Sequence, residues 1–213
     1  MKITFVTGRG GKISVYGDGE LIAAVDEDFR LSCGVKNEEE LEGAKLAAFC
    51  EAATLRSAFI GAIRILSVRS HGKTELIRKL CQKGHSRPAA ESAADRAEEL
   101  GFIDDEAYAL SLATRLMESK GYSVKRVRYE LGLKGISREI CDKTVLQLDN
   151  QPILRIIELL NTKYSRYLHD EKGIRKTVNA LQRLGYRYSD IRSALAECEI
   201  SSESEDTECT LFP

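Results

Sequence analysis

A chain of 213 residues with 43% apolar residues can bury one or two cores, and three Pro and no Trp leave long stretches free to stay helical. The net charge of −1 hides a division: residues 55–195 carry 26 Lys/Arg against 17 Asp/Glu, residues 1–54 carry 6 against 10, and residues 196–213 carry none against 6. A basic middle between acidic ends points to an anionic partner, while six scattered Cys with no C-x-x-C argue against a disulfide framework.

Residues 1–25 alternate as strands do. Ile3 and Phe5, Ile13 and Val15, and Leu21, Ala23 and Val25 would each line one face. Gly8-Arg9-Gly10-Gly11 turns the first strand into the second. Asp18-Gly19 is a two-residue hairpin signal, because both residues accept positive φ. The expectation is a small three-stranded antiparallel meander that must pack on something to be stable. Residues 26–42 read as acidic and irregular, with Gly34 as a break. Leu55, Phe59, Ala62, Ile63 and Leu66 then mark one face of a long helix.

From there the chain repeats. Gly84, Gly135 and Gly185 stand 51 and 50 residues apart, each four residues after a Leu (Leu80, Leu131, Leu181). Each lies twelve residues after a residue tolerated at a helix N-cap: Gly72, Ser123 and Gly173. Six and ten residues later come Ala90 and Ala94, Cys141 and Val145, Ile191 and Leu195. A fixed period near 50 is an internal repeat. Each copy predicts three helices. The first buries Leu76, Leu80, Ala90, Ala94 and Leu100. The second follows an Asp104-Asp105 cap and buries Ala109, Leu112, Ala113, Leu116 and Met117, then Ile140, Thr144, Val145 and Leu148. The third starts at Pro152 with Ile153, Ile156, Ile157, Leu160 and Tyr164, and its later helices run from about Gly173 to Leu184 and Ser189 to Glu197. The fold class expected is mainly α: an elongated, curved tandem array of three three-helix repeats after a small antiparallel β-meander. Its divisions are a β-rich extension (1–43), repeats at 44–103, 104–149 and 150–198, and an acidic, disordered tail (199–213). Three short helices bury little alone, so neighbouring copies should stabilise one another.

Gly72-Lys73-Thr74 resembles the end of a nucleotide-binding P-loop, but Ser67 stands where the pattern needs Gly, and a helix rather than a strand precedes it. Gly8-Arg9-Gly10-Gly11 lacks the following helix of a phosphate cradle. His71, His85 and His169 stand away from any Cys or carboxylate at metal-ligand spacing. His85 occupies the place of Ile136 and Tyr186 in the other copies and is expected to be a partly buried packing residue. No nucleophile elbow or general-base set is present, so no enzyme activity, cofactor or metal is expected. No apolar run reads as long enough to span a bilayer and no signal peptide is evident, which gives a cytoplasmic protein without a membrane partner.

The binding candidates come from helix electrostatics. Ten and nine residues before each stop glycine stand Thr74 and Glu75, Lys125 and Arg126, and Arg175 and Lys176. With caps at Gly72, Ser123 and Gly173 these are the second and third helical positions. There the helix dipole favours an acid, and a cation costs a few tenths of a kcal/mol up to about 1. Glu75 obeys that rule and the other two copies break it, as functional sites do. Lys125, Arg126, Arg175 and Lys176 are therefore the expected contact with an anionic surface, extended by Arg128, Lys134 and Arg183. That surface could be protein carboxylate or DNA phosphate.

Glu75-Leu76, Leu80 and Lys83-Gly84 in the first copy bring a family into view. The match continues through Leu100-Gly101-Phe102-Ile103-Asp104-Asp105-Glu106, then Gly121-Tyr122, Leu131, Lys134-Gly135-Ile136-Ser137 and Ile140, and ends with Leu181, Gly185-Tyr186, Ser189 and Ile191. Over roughly Leu55 to Leu195 the chain resembles RecX, the regulator of the RecA recombinase. Asp18-Gly19-Glu20 resembles the strand extension of its longer members. Gly72 and His85 depart from the pattern, where a Ser and an apolar residue are usual. The resemblance implies a monomer that binds in the groove of a RecA–single-stranded-DNA filament and inhibits RecA's ATPase, filament assembly and strand exchange. The alternative is a helical module that binds single- or double-stranded DNA directly, without RecA.

Overall fold

The computed structural model describes residues 1–207, with side-chain surroundings described through Cys198. The chain divides into two compact units, Met1–Tyr108 and Ala109 onward.

In the first unit, β1 (Lys2–Thr7), β2 (Ile13–Gly17) and β3 (Glu20–Val25) form the expected antiparallel meander. Asp18 and Gly19 turn between β2 and β3 at φ 48° and 89°, the positive values a two-residue hairpin needs. The sheet has a fourth strand that the sequence reading lacked. The two-residue β4 (Glu39–Glu40) pairs with β1, giving the order β3-β2-β1-β4. The stretch read as irregular also contains a short helix α1 (Glu27–Ser32), started by Asp26, whose carboxylate accepts from Phe29 N at 3.1 Å. Ile3, Ile13, Val15, Ala23 and Val25 face one side of the sheet and are buried with Leu41, Phe49 and Ala53.

The last two of these belong to α2 (Gly43–Leu66). The first half of this helix covers the sheet, which is the packing partner the meander required. Its second half supplies Ala58, Ala62 and Ile65 to a core with α3 (Lys73–Gln82) and α4 (Arg87–Glu99). By length and composition α2 is apolar enough to cross a bilayer, contrary to the expectation that no run is. Phe49, Ala53, Ala58, Ala62 and Ile65, which are buried in these two cores, account for part of that apolarity. Helix α4 contributes Ala89, Ala90, Ala93, Ala94 and Ala97, and such small side chains let backbones approach closely. Leu100 is not in this core. It follows the last turn of α4 and is 46% exposed, while Ile103 is buried in its place.

Gly72 caps α3 without a side chain to offer. The cap comes from α5 (Asp105–Lys120): Lys73 N donates to Asp105 Oδ1 at 2.8 Å. The neighbouring Asp104 caps α5 itself, accepting from Ala107 N at 2.9 Å. The two adjacent acids thus start two different helices, each such cap contributing about 0.5–2 kcal/mol.

Histidines make the first unit sensitive to acid. Burial holds His71 below its ordinary value of 6.5, and the Arg69 charge adds to this. Burial does the same to His85, helped by Lys83. Below pH 6.5 the unfolded chain therefore binds protons that the folded chain refuses, so stability is full above 6.5 and falls as pH drops through the window beneath it. Asp26 adds a loss at lower pH. Burial opposes its ionisation, but Arg56 and Phe29 N hold its carboxyl below 3.8, and that stabilisation is lost as pH falls through the lowered value. Urea midpoints measured from pH 7.5 to 5.5 should decline. They should decline less in a His71→Asn/His85→Gln chain, and equal slopes would contradict the assignment.

In the second unit α5 continues, burying Ala109, Leu112, Ala113 and Met117. Then come α6 (Val124–Leu133), α7 (Arg138–Gln147), α8 (Pro152–Leu159), α9 (Glu171–Arg183) and α10 (Tyr188–Thr207). Leu116, Ile140, Val145 and Leu148, expected in the core, are only partly buried. Helix α8 passes into a π turn at Leu160–Tyr164 and a 3₁₀ turn at Ser165–Tyr167. Ile156, Leu160, Leu181, Tyr186, Ile191 and Ala194 form the core of this last helix triple. Helix α10 runs past Glu197, where its end was expected. Of the expected disordered tail, residues 208–213 lie outside the described residues.

Candidate partner-binding site

The repeat read from the sequence is a repeat of helix stops. Gly84, Gly135 and Gly185 all have positive φ, between 81° and 97°. The residue after each donates back to the Leu five residues earlier: His85 N to Leu80 O at 3.2 Å, Ile136 N to Leu131 O at 3.3 Å and Tyr186 N to Leu181 O at 3.2 Å. This closure satisfies carbonyls that a helix end leaves open. It fixes the entry of the next helix, and so the position of each helix N-terminus.

The second copy starts as expected. Ser123 Oγ accepts from Arg126 N at 3.2 Å, so Lys125 and Arg126 are the second and third residues of α6, with no acid in the first turn. The third copy corrects the expectation. Gly173 is not a cap. Asp170 is, accepting from Gly173 N at 2.9 Å, and α9 begins at Glu171. Gly173 is buried inside the first turn, where a Cβ would lie 2.6 Å from Asp170 Oδ1. Arg175 and Lys176 therefore sit beyond the first turn, where the dipole penalty has faded, and Glu171 satisfies the rule they were thought to break.

The seven candidate cations do not all line one cleft. Lys125 and Arg128 line a cleft of about 410 Å³ together with Arg155 and Arg187, which the sequence reading missed. Val124, Val145, Pro152, Asp149, Asp190 and Tyr186 complete much of its wall. Arg128 also pairs with Asp142. Arg126 is not among the residues lining that cleft. It meets Glu130 at 2.7 Å, and its guanidinium lies 5.6 and 5.2 Å from the ring centres of Tyr122 and Tyr129. Lys134 borders a second hollow with Arg115, Lys120 and Glu130. Arg175, Lys176 and Arg183 are exposed on α9 and line neither cleft.

A signal for Arg187 was present in the sequence. Ser86 and Ser137 stand at the N-cap positions of α4 and α7, each two residues after its stop glycine, though only the Ser137 side chain accepts a capping hydrogen bond. Arg187 holds that place in the third copy, directly before α10. A cation where two serines stand breaks the same local rule that singled out Lys125. Arg155 gave no such signal, because it lies one turn into a helix where Arg is ordinary. Among the described residues no group of His, Cys, Asp and Glu could hold a metal ion.

Comparison with known proteins agrees with this architecture. Residues 104–145 match the family model for RecX, second three-helix domain. A regulatory protein RecX from Caldanaerobacter subterraneus subsp. tengcongensis is 26% identical over 88% of this chain and 93% of its own. One from Vibrio vulnificus is 33% identical over 64% of this chain and 89% of its own. Two crystal structures share the fold. A regulatory protein RecX gives a TM-score of 0.64 at 21% identity, covering 90% of this chain and 98% of that one. RecX from Lactobacillus salivarius gives 0.60 at 22%, covering 70% and 99%. With the helix-stop repeat in place and 33% identity reaching across nearly nine-tenths of the Vibrio vulnificus protein, the chain belongs to the RecX family of regulatory proteins.

Proposed function

We propose that the chain binds the RecA–single-stranded-DNA filament in the cytoplasm as a monomer and lowers RecA's ATPase, filament assembly and strand exchange, catalysing no reaction of its own. Family membership supports the regulatory role. The observation that carries the contact is the basic cleft at the start of α6, where Lys125, Arg128, Arg155 and Arg187 converge. Lys125 is exposed at a helix position that favours an acid, so an anionic partner surface would offset a cost the isolated chain bears. Co-sedimentation with RecA filaments tests this. Lys125→Glu suits the α6 dipole and should leave the fold intact, while filament binding falls tenfold or more, about 1.4 kcal/mol. Unchanged binding would remove the cleft from the contact.

One observation favours direct DNA binding as a second reading. Arg126 lies beside the rings of Tyr122 and the largely exposed Tyr129, and such stacks receive nucleic-acid bases. That reading requires binding to single strands without RecA, weakening steeply with salt.

A further inference from the structure

The cleft that holds Lys125 has a composition that narrows its ligand. Three helix N-termini contribute to it: Ser123, Val124 and Lys125 from α6, Pro152 from α8, and Arg187 and Asp190 at the start of α10. Each N-terminus presents unsatisfied N–H groups and a partial positive charge. Four side-chain cations add to this, opposed by Asp149 and Asp190. Neither Lys125 nor Arg187 has an ion-pair partner among the described residues.

A buried polar group points the same way. Tyr186 lines the cleft and is only 6% exposed, yet neither its hydroxyl nor the buried Arg155 Nε has a hydrogen-bond partner of good geometry. Burial pushes the Tyr186 phenol above its ordinary value, with Arg155 pulling the other way, so the hydroxyl keeps its proton and remains a donor. Buried donors without partners are destabilising, and an acceptor entering the cleft would relieve that cost.

We infer that this cleft between α6, α8 and α10 takes a short acidic peptide segment of a protein partner, with a carboxylate anchored among Arg155, Arg187 and Lys125. The inference rests on the reading that the cleft faces the partner. Three features favour a peptide over a nucleic-acid strand. The volume of about 410 Å³ falls among bounded ligand sites of about 300–1,000 Å³ rather than open tracks. Val124, Val145 and Pro152 offer apolar wall that a phosphate string cannot use. Asp149 and Asp190 would repel a strand carrying a charge about every 3.4 Å, whereas a peptide can present backbone N–H groups to them.

The test titrates the full chain with a fluorescein-labelled peptide, Asp-Glu-Leu-Glu-Glu-Leu, against its Asn/Gln counterpart and an eight-residue oligothymidylate. Co-sedimentation with RecA filaments runs in parallel. The acidic peptide should bind, the neutral one should not, and the oligonucleotide should not displace it. Arg155→Gln and the exposed Arg187→Gln should each weaken peptide binding at least tenfold, and Arg175→Gln on α9 should not. Displacement by the oligonucleotide, or equal binding to the Arg187→Gln chain, would overturn the inference. Absence of peptide binding by a chain that still sediments with filaments would overturn it and leave the filament reading standing. Peptide binding without filament binding would support the cleft and reject the filament.

Discussion

Gly185→Ala should destabilise the chain far more than Gly84→Ala. All three glycines stop a helix at positive φ, and an L side chain there costs about 1–2 kcal/mol. At Gly84 an added Cβ meets open space. At Gly185 it would lie 2.7 Å from Arg126 Cβ and against Ser123 Oγ. These atoms belong to the start of α6, where Ser123 N also donates to Leu184 O at 3.0 Å. The clash therefore adds an overpacking cost of about 1–3 kcal/mol and pushes apart the third and second helix triples. Chemical denaturation should give a loss of about 1–2 kcal/mol for Gly84→Ala and about 2–5 for Gly185→Ala. Equal losses would mean that the stop of α9 does not dock on α6.

Glu75→Ala should be the most damaging acidic substitution in the first unit. Glu75 is 3% exposed, which a helix-dipole role alone does not require. Its carboxylate accepts from the Tyr108 hydroxyl at 3.0 Å and from Arg69 at 3.3 Å, and His71 Nδ1 lies 3.5 Å away. Burial, then the Glu75 charge and hydrogen bond, keep the Tyr108 phenol protonated well above neutrality. Removing the carboxylate leaves the buried Tyr108 hydroxyl without its acceptor and Arg69 without its ion-pair partner. Leaving a buried donor unsatisfied costs about 1–3 kcal/mol. Tyr108→Phe, which removes a single donor, should cost about 1–2 kcal/mol. The double variant should lose less than the sum of the two. Additive losses would show that Glu75 and Tyr108 act independently.

These two results separate what the sequence shows from what it hides. The stop glycines, their partner leucines and the Ser123 cap follow local rules of backbone geometry, so a 50-residue spacing exposes them. Residues joined only by folding leave no such trace. Asp105 caps α3 rather than its own helix, and Glu75 meets Tyr108 across 33 positions of chain. The two-residue β4 has no apolar alternation to reveal it. At the site, Lys125 and Arg128 were legible as cations near a helix start. That Arg126 does not line their cleft is decided only by folding. The third copy misled because Gly173 matches a cap by spacing, while the carboxylate that does the capping stands three residues earlier at Asp170.

The proposed function is tested most directly by RecA's single-stranded-DNA-dependent ATPase, measured while the chain is titrated from sub-stoichiometric to stoichiometric amounts. The rate should fall as the chain is added, and Lys125→Glu should shift the required amount upward by tenfold or more. A rate unchanged across the whole range, with the chain folded, would contradict the account.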